Sequence, residues 1–350
     1  MFFDIAFFLY GVFCMIAFIG YFYRPNMSNE RARNVEFVIP TVANHKTLKS
    51  LKEVINRLKT FNLPIWVVVD DKKIEIEGAK VVVVPPNFPG KRCKGRALEF
   101  FRLHFTEADK WYCFLDDDSY PLDDNFLYEI PYYEKMGYYG ANGILTPRKG
   151  KSLTCYILDK IRLWDDMFVY RLCTGLLKRP YIGFHGELLI IKGEALKQIS
   201  FRDSLVEDFV ISKDFVKKGF KTWQSRTMVS IKSPNSLSDF WKQRARWFKG
   251  IFVELAKTHP LTLFFVILRL IGGISASLIF FPLWFIFPTK TFLSYFGFFG
   301  VAYYASAYLS GCVEAKSIKH FLSIPLLPFM EWISLFYITK VKNFFVIDKN

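Results

Sequence analysis

Short apolar runs alternate with amphipathic stretches between residues 35 and 116. The runs are rich in β-branched and aromatic residues, as in strands buried on both faces of a sheet. They are VEFVIP at 35–40, IWVVVD at 65–70, KVVVVP at 80–85 and WYCFLD at 111–116. Residues 48–59 and 95–108 repeat apolar positions every three or four residues, as amphipathic helices do. This alternation predicts an α/β domain with a mostly parallel, Rossmann-like sheet, whose ligands bind at the carboxyl ends of the strands.

Longer apolar runs outside this region predict membrane segments. They cover residues 2–23, 261–287, 291–312 and 321–339. A run of about 20 apolar residues can cross a bilayer as a helix, and Arg24, Arg31 and Arg33 put the side after the first run in the cytoplasm. A cleaved signal peptide is the alternative there, but the run lacks a basic start and a small-residue cleavage site. The run at 321–339 contains Glu331 and two prolines, and it is either a span or a re-entrant or interfacial segment.

The predicted organisation therefore has four parts. A transmembrane anchor at 1–23 precedes a catalytic α/β domain at 24–235, an amphipathic interface helix at 236–259, and a C-terminal region at 260–350 with two to three membrane segments. An apolar fraction of 52% with 39 phenylalanines in 350 residues agrees with membrane contact. The net charge of +15 suits an anionic lipid surface, a phosphate-bearing ligand or nucleic acid equally.

The cysteines argue against a zinc centre. All 6 are scattered along the chain, without a CxxC or Cys/His spacing. We expect reduced and mostly buried thiols in a protein that faces the cytosol.

Acidic residues stand at the ends of two predicted strands. Asp70 and Asp71 close the second, and LDDDS at 115–119 follows the fourth. Asp116 and Asp118 can each offer oxygen to a hard divalent cation such as Mn²⁺ or Mg²⁺, and a diphosphate can complete its coordination. A solvated acidic turn is the alternative, but three acids directly after YCFL favour the metal site.

A second acidic pair begins a predicted helix that ends at Gly219. Asp208 follows Glu207 there, and a carboxylate in that position can take a proton from an acceptor hydroxyl. The alternative is that both acids only complement the positive end of the helix dipole.

The segment SLSDFWKQRARWFKGIFVELAK at 236–257 predicts an amphipathic helix that can lie in a membrane interface. Gln243, Arg246 and Trp247 stand at positions i, i+3 and i+4, so they share a face. A guanidinium and an indole on one face can clamp a diphosphate and stack on an acceptor ring. A helix whose basic residues only touch lipid headgroups is the alternative.

The order of these motifs carries a family resemblance. PTVANH (40–45), VVVDD (67–71), KGRAL (94–98), DDD (116–118), GELLIIKGEAL (186–196), VED (206–208) and QRARW (243–247) resemble the family 2, GT-A-fold, membrane-associated inverting glycosyltransferases. Within that family the chain is similar to the egghead-type β-1,4-mannosyltransferases, which use GDP-mannose and act on a glycolipid. The matching stretches lie at 159–172, 176–190, 205–220 and 232–251.

The resemblance implies roles for individual residues of this chain. Asp208 would be the catalytic base, and Asp116 and Asp118 would hold Mn²⁺ or Mg²⁺. The predicted donor-binding residues are Pro40, Thr41, Asp70, Asp71, Lys94, Asp117, Gln243 and Arg246. The predicted acceptor-binding residues are His185, Glu187, Glu207 and Trp247.

The sequence thus predicts an integral membrane enzyme with a cytoplasmic, metal-dependent catalytic domain. The resemblance implies transfer of a hexose, mannose from GDP-mannose being favoured over a UDP-hexose, to a lipid-linked or glycolipid hydroxyl with a β-linked product. A processive polysaccharide synthase and a polyprenyl-phosphate glycosyltransferase are the alternatives. A membrane scaffold or nucleic-acid binder would explain the charge but not acids at three strand or helix ends.

Overall fold

The computed structural model describes residues 2–70, 74–90, 93–201, 204–256, 258–280 and 296–341. The strands are β1 (Val35–Thr41), β2 (Ile65–Val69), β3 (Lys80–Val83), β4 (Trp111–Phe114), β5 (Tyr120–Pro121), β6 (Tyr138–Arg148), β7 (Leu189–Lys192) and β8 (Lys221–Lys232). The first helices are α1 (Phe2–Gly20), α2 (Leu48–Leu58), α3 (Lys94–Phe105), α4 (Asn125–Lys135), α5 (Leu153–Asp165) and α6 (Gly193–Leu196). The later helices are α7 (Glu207–Lys218), α8 (Leu237–Leu255), α9 (Pro260–Phe280), α10 (Gly297–Ala315), α11 (Ile318–Leu322) and α12 (Leu327–Trp332).

The strands form one 8-stranded sheet in the order β3-β2-β1-β4-β7-β6-β8-β5. The strands predicted from the sequence are its first four, and the pairings among these four are all parallel. The other half is mixed, because β7 runs antiparallel to both β4 and β6 while β6 and β8 are parallel. The α/β class with a largely parallel sheet is therefore confirmed, and the acids that follow β2 and β4 stand at the same edge.

Both faces of β1, β2 and β4 are buried, as their continuous apolar runs predict, whereas the valines of β3 at the edge of the sheet are half-buried. Phe37 and Ile39 of β1 pack into a core with Leu51 of α2, whereas Val38 packs on the opposite face with Phe101 of α3. Alternate residues of a strand point to opposite faces, so an uninterrupted apolar run is the pattern that a covered sheet requires.

A third apolar core lies outside the sheet. It joins Phe13 of α1, Ile157 of α5, Phe265 of α9 and Tyr308 of α10. The N-terminal helix therefore packs against the C-terminal helices and α5, which brings both ends of the described chain to one side of the catalytic domain.

The predicted membrane segments have different outcomes. Among the described residues, no helix reaches both the length and the apolarity of a membrane span. The predicted spans at 261–287 and 291–312 lie partly outside the described residues. A continuous span at 321–339 is wrong, because the chain forms α11, α12 and 3₁₀ turns at Ile324–Leu326 and Ile333–Lys340. Pro325 and Pro328 stand at the first positions of new helical segments, where a missing N–H is tolerated.

The cysteine prediction is confirmed as far as pairing and burial are concerned. Cys14, Cys93, Cys113, Cys155, Cys173 and Cys312 are all free and buried. Burial raises the pKa of the Cys155 thiol to about 11 and that of Cys14 to about 12, so both are neutral and packed as small apolar side chains.

Candidate active site

One cavity of about 300 Å³ has two sides of different origin. Its sheet side consists of residues at the ends of β1, β2 and β4, the turn before β7, and the first turns of α3 and α7. Its helix side consists of residues on α5, α8, α9, α10, α12 and the π-helical turns at Asp166–Leu176. Asp71 lies outside the described residues. All the other predicted site residues line this cavity.

The aspartate triplet forms a fixed loop at the end of β4. The Asp116 N–H donates to Ser119 Oγ at 3.0 Å, and the Ser119 N–H donates back to the Asp116 carbonyl at 3.1 Å. Thr41 Oγ1 at the end of β1 donates to Asp117 at 2.7 Å. Ser119 therefore forms the turn that the alternative reading expected, but this turn holds the acids at the cavity. Asp117 and Asp118 are both buried and do not face bulk solvent.

Lys94 joins the two acidic motifs. Its Nζ is 2.7 Å from Asp116 Oδ1 and 2.7 Å from Glu207 Oε1. Burial disfavours the ammonium, but Asp116, Glu207 and Asp208 together hold the pKa of Lys94 well above its usual value. Gly186 makes room for it, because a Cβ built there would lie 2.3 Å from Lys94 Nζ. Lys94, which the resemblance assigns to the donor phosphates, is therefore engaged with carboxylates here.

Asp70 at the end of β2 is tied to the start of α3. Its carboxylate forms an ion pair with Arg96 and accepts from the Cys93 N–H at 3.0 Å. Arg96 also donates to the carbonyls of Pro85 and Phe88 at 2.8 and 2.7 Å. Asp70 thus lies beside Pro40 and Thr41 on the cavity wall while also fixing the β3–α3 loop.

The acidic pair stands in the first turn of α7, as predicted, with Gly219 ending the helix in the left-handed conformation. Asp208 accepts from the Phe209 N–H at 2.8 Å. Burial in the cavity raises the pKa of Asp208 to about 7, helped by Glu207 and Glu187 and opposed by Lys94. A carboxyl with a pKa near neutrality can both accept and release a proton at physiological pH.

His185 and Glu187 precede β7 and join α5 to the sheet. Glu187 forms an ion pair with Arg162 of α5 at 2.6 Å. His185 Nε2 is 3.4 Å from Asp166 and 3.1 Å from the Gly143 carbonyl. Burial opposes protonation of His185, but Asp166 outweighs it and raises the pKa of the imidazole. These two of the four predicted acceptor residues therefore lie in a buried network of acids and bases.

Helix α8 presents Gln243, Arg246 and Trp247 to the cavity on one face. Arg246 Nη1 donates to the Leu205 carbonyl at 2.8 Å, which ties α8 to the segment that leads into Glu207 and Asp208. Gly250 allows this close approach, because a Cβ there would lie 2.7 Å from the methyl groups of Val206.

The loop after β4 fits a divalent cation. Asp116 and Asp118 both face the cavity, and Asp116 already attracts the Lys94 ammonium. Within the described ranges, no group of three or more His, Cys, Asp or Glu side chains is placed to hold a metal ion. The predicted site would need only two carboxylates, because a donor diphosphate would supply the remaining oxygens.

Three arginines of the site have no role in the sequence prediction. They are Arg162, Arg244 and Arg269. A signal existed for one of them: α5 carries Asp159 and Arg162 at helical spacing among apolar residues. Charges on one face of a buried helix must find partners, so they mark a polar network or a site.

Comparisons with known proteins identify the family and the fold of the chain. The model of the family described as "Glycosyl transferase family group 2" matches residues 111–330. The β-1,4-mannosyltransferase bre-3 of Caenorhabditis elegans is 25% identical over 206 residues, which cover 55% of this chain and 45% of bre-3. The β-1,4-mannosyltransferase egh of Drosophila melanogaster is 23% identical over 201 residues, 53% of this chain and 44% of egh. The chain thus spans about half the length of these curated relatives.

A solved structure has the same fold over nearly the whole chain. The mannosyltransferase PcManGT from Pyrobaculum calidifontis, solved in complex with GDP-Man and Mn²⁺, superposes with a TM-score of 0.58. The two chains are 13% identical, and the match covers 97% of this chain and 96% of that one.

Proposed function

The chain belongs to glycosyl transferase family group 2, and we propose that it transfers a hexose from a nucleotide sugar to the hydroxyl of a lipid-linked acceptor, with inversion at the anomeric carbon. The observation that carries the proposal is a single cavity. It brings the Asp116–Asp118 loop, the Asp208 carboxyl and the α8 face with Arg246 together. These are the parts that a donor diphosphate, an attacking hydroxyl and a leaving group require.

The donor occupies the sheet side in this proposal. Pro40, Thr41 and Asp70 line the wall at the ends of β1 and β2, where nucleotides bind in open α/β sheets. Asp71 belongs to the same predicted set. Arg246 and Gln243 approach from α8, so a diphosphate between the loop and α8 meets a guanidinium and an amide.

Asp116 and Asp118 would hold Mn²⁺ or Mg²⁺. A cation held there would supply positive charge to neutralise the leaving diphosphate. Lys94 is the protein's own cation beside Asp116 and Glu207, and it adds a fixed positive charge on the same side of the cavity.

Asp208 is the base. Its pKa of about 7 allows it to take the proton of the acceptor hydroxyl as the oxygen attacks the anomeric carbon. Attack from the face opposite the nucleoside diphosphate converts an α-linked donor into a β-linked product. His185, Glu187, Glu207 and Trp247 line the space around this carboxyl, where the acceptor enters.

Mannose is the favoured sugar and GDP-mannose the favoured donor. The support comes from the two relatives named β-1,4-mannosyltransferases and from the fold shared with a mannosyltransferase bound to GDP-Man and Mn²⁺. A UDP-hexose is the competing donor, and the experiment below separates the two.

The proposal includes attachment to a membrane, with the catalytic domain at 24–235 on the cytosolic side. The segments that would contact the membrane are 1–23, the α8 segment at 236–259 and the region at 260–350. Large apolar side chains are exposed on α1 and the C-terminal helices. They include Ile16 and Ile19 on α1, Phe264 on α9 and Ile318, Phe321 and Leu322 on α11. A lipid-borne hydroxyl can approach the cavity from such a surface.

A donor panel tests the proposal. Purified full-length protein is incubated with GDP-mannose, UDP-glucose, UDP-galactose or UDP-N-acetylglucosamine, Mn²⁺ or Mg²⁺, and a lipid extract, and products are separated by mass spectrometry. We expect one β-linked hexose added per lipid acceptor, with GDP-mannose giving the highest rate. Polymeric products would indicate a processive synthase. No transfer and no nucleotide binding with any donor would refute the proposed activity.

A further inference from the structure

The carboxyl ends of β6 and β8 reach the cavity at a place that has no assigned role in the proposed transfer. Lys232, the last residue of β8, lines the cavity together with Ile231 and with Thr47 at the start of α2. Leu145 of β6 and Val42 after β1 complete this part of the wall. We call these five residues the β8 corner. Since its other walls are apolar, the charge of Lys232 is only weakly screened there.

Cationic side chains cluster at the β8 corner. Arg148 ends β6 as Lys232 ends β8, and the two are direct partners in the parallel register of these strands. Arg148 and Lys151 repel the Lys232 ammonium. Asp118 and Glu53 attract it, so three cations face two carboxylates among the described residues. Like charges on neighbouring strands cost free energy, and an anion between them removes that cost.

An aromatic ring orders Arg148 at this place. The Arg148 guanidinium lies 5.0 Å from the centroid of the Tyr120 ring and donates to Ser230 Oγ at 3.2 Å. The guanidinium of Arg57 on α2 lies 5.5 Å from the same centroid. A ring carries no net charge, so these contacts order the guanidiniums without neutralising them. The position of Arg148 beside the corner is therefore fixed, and its charge remains available to a ligand.

The side chain of Thr47 is buried without a hydrogen bond. Thr47 is the N-cap residue of α2, but its side chain makes no capping hydrogen bond. Its Oγ1 has no partner within the described part of the chain, and the residue is only 1% exposed. A buried hydroxyl without a partner costs free energy, so this atom favours a ligand. The first turn of α2 also lacks an acidic side chain that would complement the positive end of the helix dipole.

A phosphate group matches all of these features. Its oxygens can accept from the Thr47 hydroxyl and from N–H groups at the start of α2, and its charge offsets Arg148 and Lys232. A neutral hydroxyl or amide would accept hydrogen bonds but would leave the two cations repelling each other. A phosphate also presents three acceptor oxygens in different directions, as groups from α2, β6 and β8 require.

We propose that the β8 corner is a phosphate-binding site separate from the site of the donor diphosphate. Lys232 and Arg148 supply its charge, and Thr47 with the start of α2 supplies hydrogen bonds. The site goes beyond the proposed function, because none of its five residues is assigned to the nucleotide, the metal or the base. A free phosphate and a phosphate carried by an amphiphile present the same oxygens to the corner, and the experiment separates these two sources.

Calorimetric titration of the full-length protein tests the site. The probes are sodium phosphate and dodecyl phosphate, with dodecyl maltoside as an uncharged amphiphile, and GDP and Mg²⁺ are kept saturating so that the donor site is filled. We expect a single phosphate group to bind per chain. Affinity for sodium phosphate at least equal to that for dodecyl phosphate means that the ligand is free phosphate. Tighter binding of dodecyl phosphate, without binding of dodecyl maltoside, means that an amphiphile carries it. Both outcomes support the site.

Two variants locate the binding. Thr47→Val removes the hydroxyl and keeps the shape of the side chain, so the fold should persist while the dissociation constant for phosphate rises about fivefold. Lys232→Met removes the charge of the corner and should raise that constant at least about tenfold. Thr106→Val is the first matched control, because it removes another buried hydroxyl that lacks a partner among the described residues, outside the cavity. Lys221→Met at the opposite end of β8 is the second. Both controls should bind phosphate as the wild type does.

Three results would overturn the site. They are no binding of either phosphate, an unchanged dissociation constant in Thr47→Val or Lys232→Met, and a phosphate affinity that falls in proportion to the GDP concentration. The last result would make the corner part of the donor site. None of these results touches the proposed function, whose failure would show as an absence of nucleotide binding in the wild type.

Discussion

The two sides of the cavity are built differently. On the sheet side, the polar side chains after β1, β2 and β4 follow directly after a buried strand, so a few residues of local sequence determine their positions. Asp70 and Asp116 are examples: each ends an apolar run and lands at the carboxyl edge of the sheet. On the helix side, Asp159, Arg244 and Glu331 come from α5, α8 and α12 and meet only when those helices pack.

This difference predicts different consequences of substitution. A sheet-side carboxylate such as Asp118 lies at the open end of a strand, so we expect its removal to change chemistry more than folding. A helix-side carboxylate compensates a buried arginine, so its removal leaves an unpaired charge in the interior. The helix side therefore combines a binding surface with part of the core, whereas the sheet side is mainly a reaction surface.

The largest effect should come from Asp208. Asp208→Asn keeps the shape of the side chain and removes its ability to accept a proton. We expect the rate of hexose transfer to fall at least about 1,000-fold, the range for loss of a general base. The dissociation constant of the nucleotide, measured by calorimetric titration, should stay within about twofold of the wild type.

Asp214→Asn provides the control on the same helix, because Asp214 lies on α7 away from the cavity. It should retain the wild-type rate. A rate of Asp208→Asn close to that of Asp214→Asn would remove Asp208 from the chemistry and return it to the role of complementing the helix dipole.

The next comparison sets Asp159 on the helix side against Asp118 on the sheet side. Asp159→Asn should lower the free energy of unfolding by about 3 kcal/mol, because Arg244 loses its 2.6 Å partner in the interior. Asp118→Asn should change that free energy by less than about 1 kcal/mol and weaken metal-dependent nucleotide binding about tenfold. Urea unfolding and titration of nucleotide with Mn²⁺ measure the two quantities.

A double substitution sharpens this test. Asp159→Leu with Arg244→Met removes both charges and should be more stable than Asp159→Asn alone, because no unpaired ion remains. If Asp118→Asn destabilises the protein as much as Asp159→Asn does, the distinction between a reaction surface and a structural network is wrong.

A substitution at Gly186 tests whether transfer requires the Lys94 ammonium between Asp116 and Glu207. The Cβ of Gly186→Ala would lie 2.3 Å from Lys94 Nζ and 3.7 Å from Glu207 Oε1. Since the end of a lysine is flexible, the ammonium should move away and the fold should persist. We expect transfer to fall about 10- to 100-fold through the loss of a charge-assisted contact, measured as kcat/KM for the nucleotide sugar.

A double-mutant cycle identifies the cause. If Gly186→Ala acts through Lys94, then adding it to Lys94→Met should reduce kcat/KM no further. Additive losses in the double variant would mean that Gly186 serves the backbone turn before β7 instead of the lysine.

The difference between the sheet side and the helix side of the cavity also explains which features could be predicted from the sequence. The parallel block β3-β2-β1-β4 and the acids after it follow from apolar runs and their ends, which are local features. The antiparallel β7 and the pairing of Arg162 with Glu187 depend on contacts between distant segments, which one sequence without partners does not specify. Arg244 was overlooked for the same reason: it lies within QRARW, but its importance appears only when Asp159 and Glu331 pack against it.

The stretch at 321–339 shows that apolar content alone does not predict one continuous helix. The apolar run at 321–339 is compatible with a span or with a re-entrant or interfacial segment, and Pro325 and Pro328 divide it into short helical turns. Glu331 then lines the cavity, 3.6 Å from Arg244. A charge in an apolar run marked a site here, since a buried carboxylate requires a partner.

The pH dependence of transfer should show the smallest effect. Asp208 must be deprotonated to act as a base, and its pKa is about 7, so the rate should fall as the pH drops through about 7 and rise to a plateau above it. The negative charge of Glu207 helps to raise that pKa, and Lys94 lowers it. Glu207→Gln removes the negative charge that raises the pKa of Asp208. It also removes the ion-pair partner of Lys94, so the ammonium can interact more strongly with Asp208. Both changes favour the carboxylate, so the midpoint of the normalised rate profile should move to lower pH. A midpoint that stays in place or moves upward would show that another group on the sheet side controls the titration.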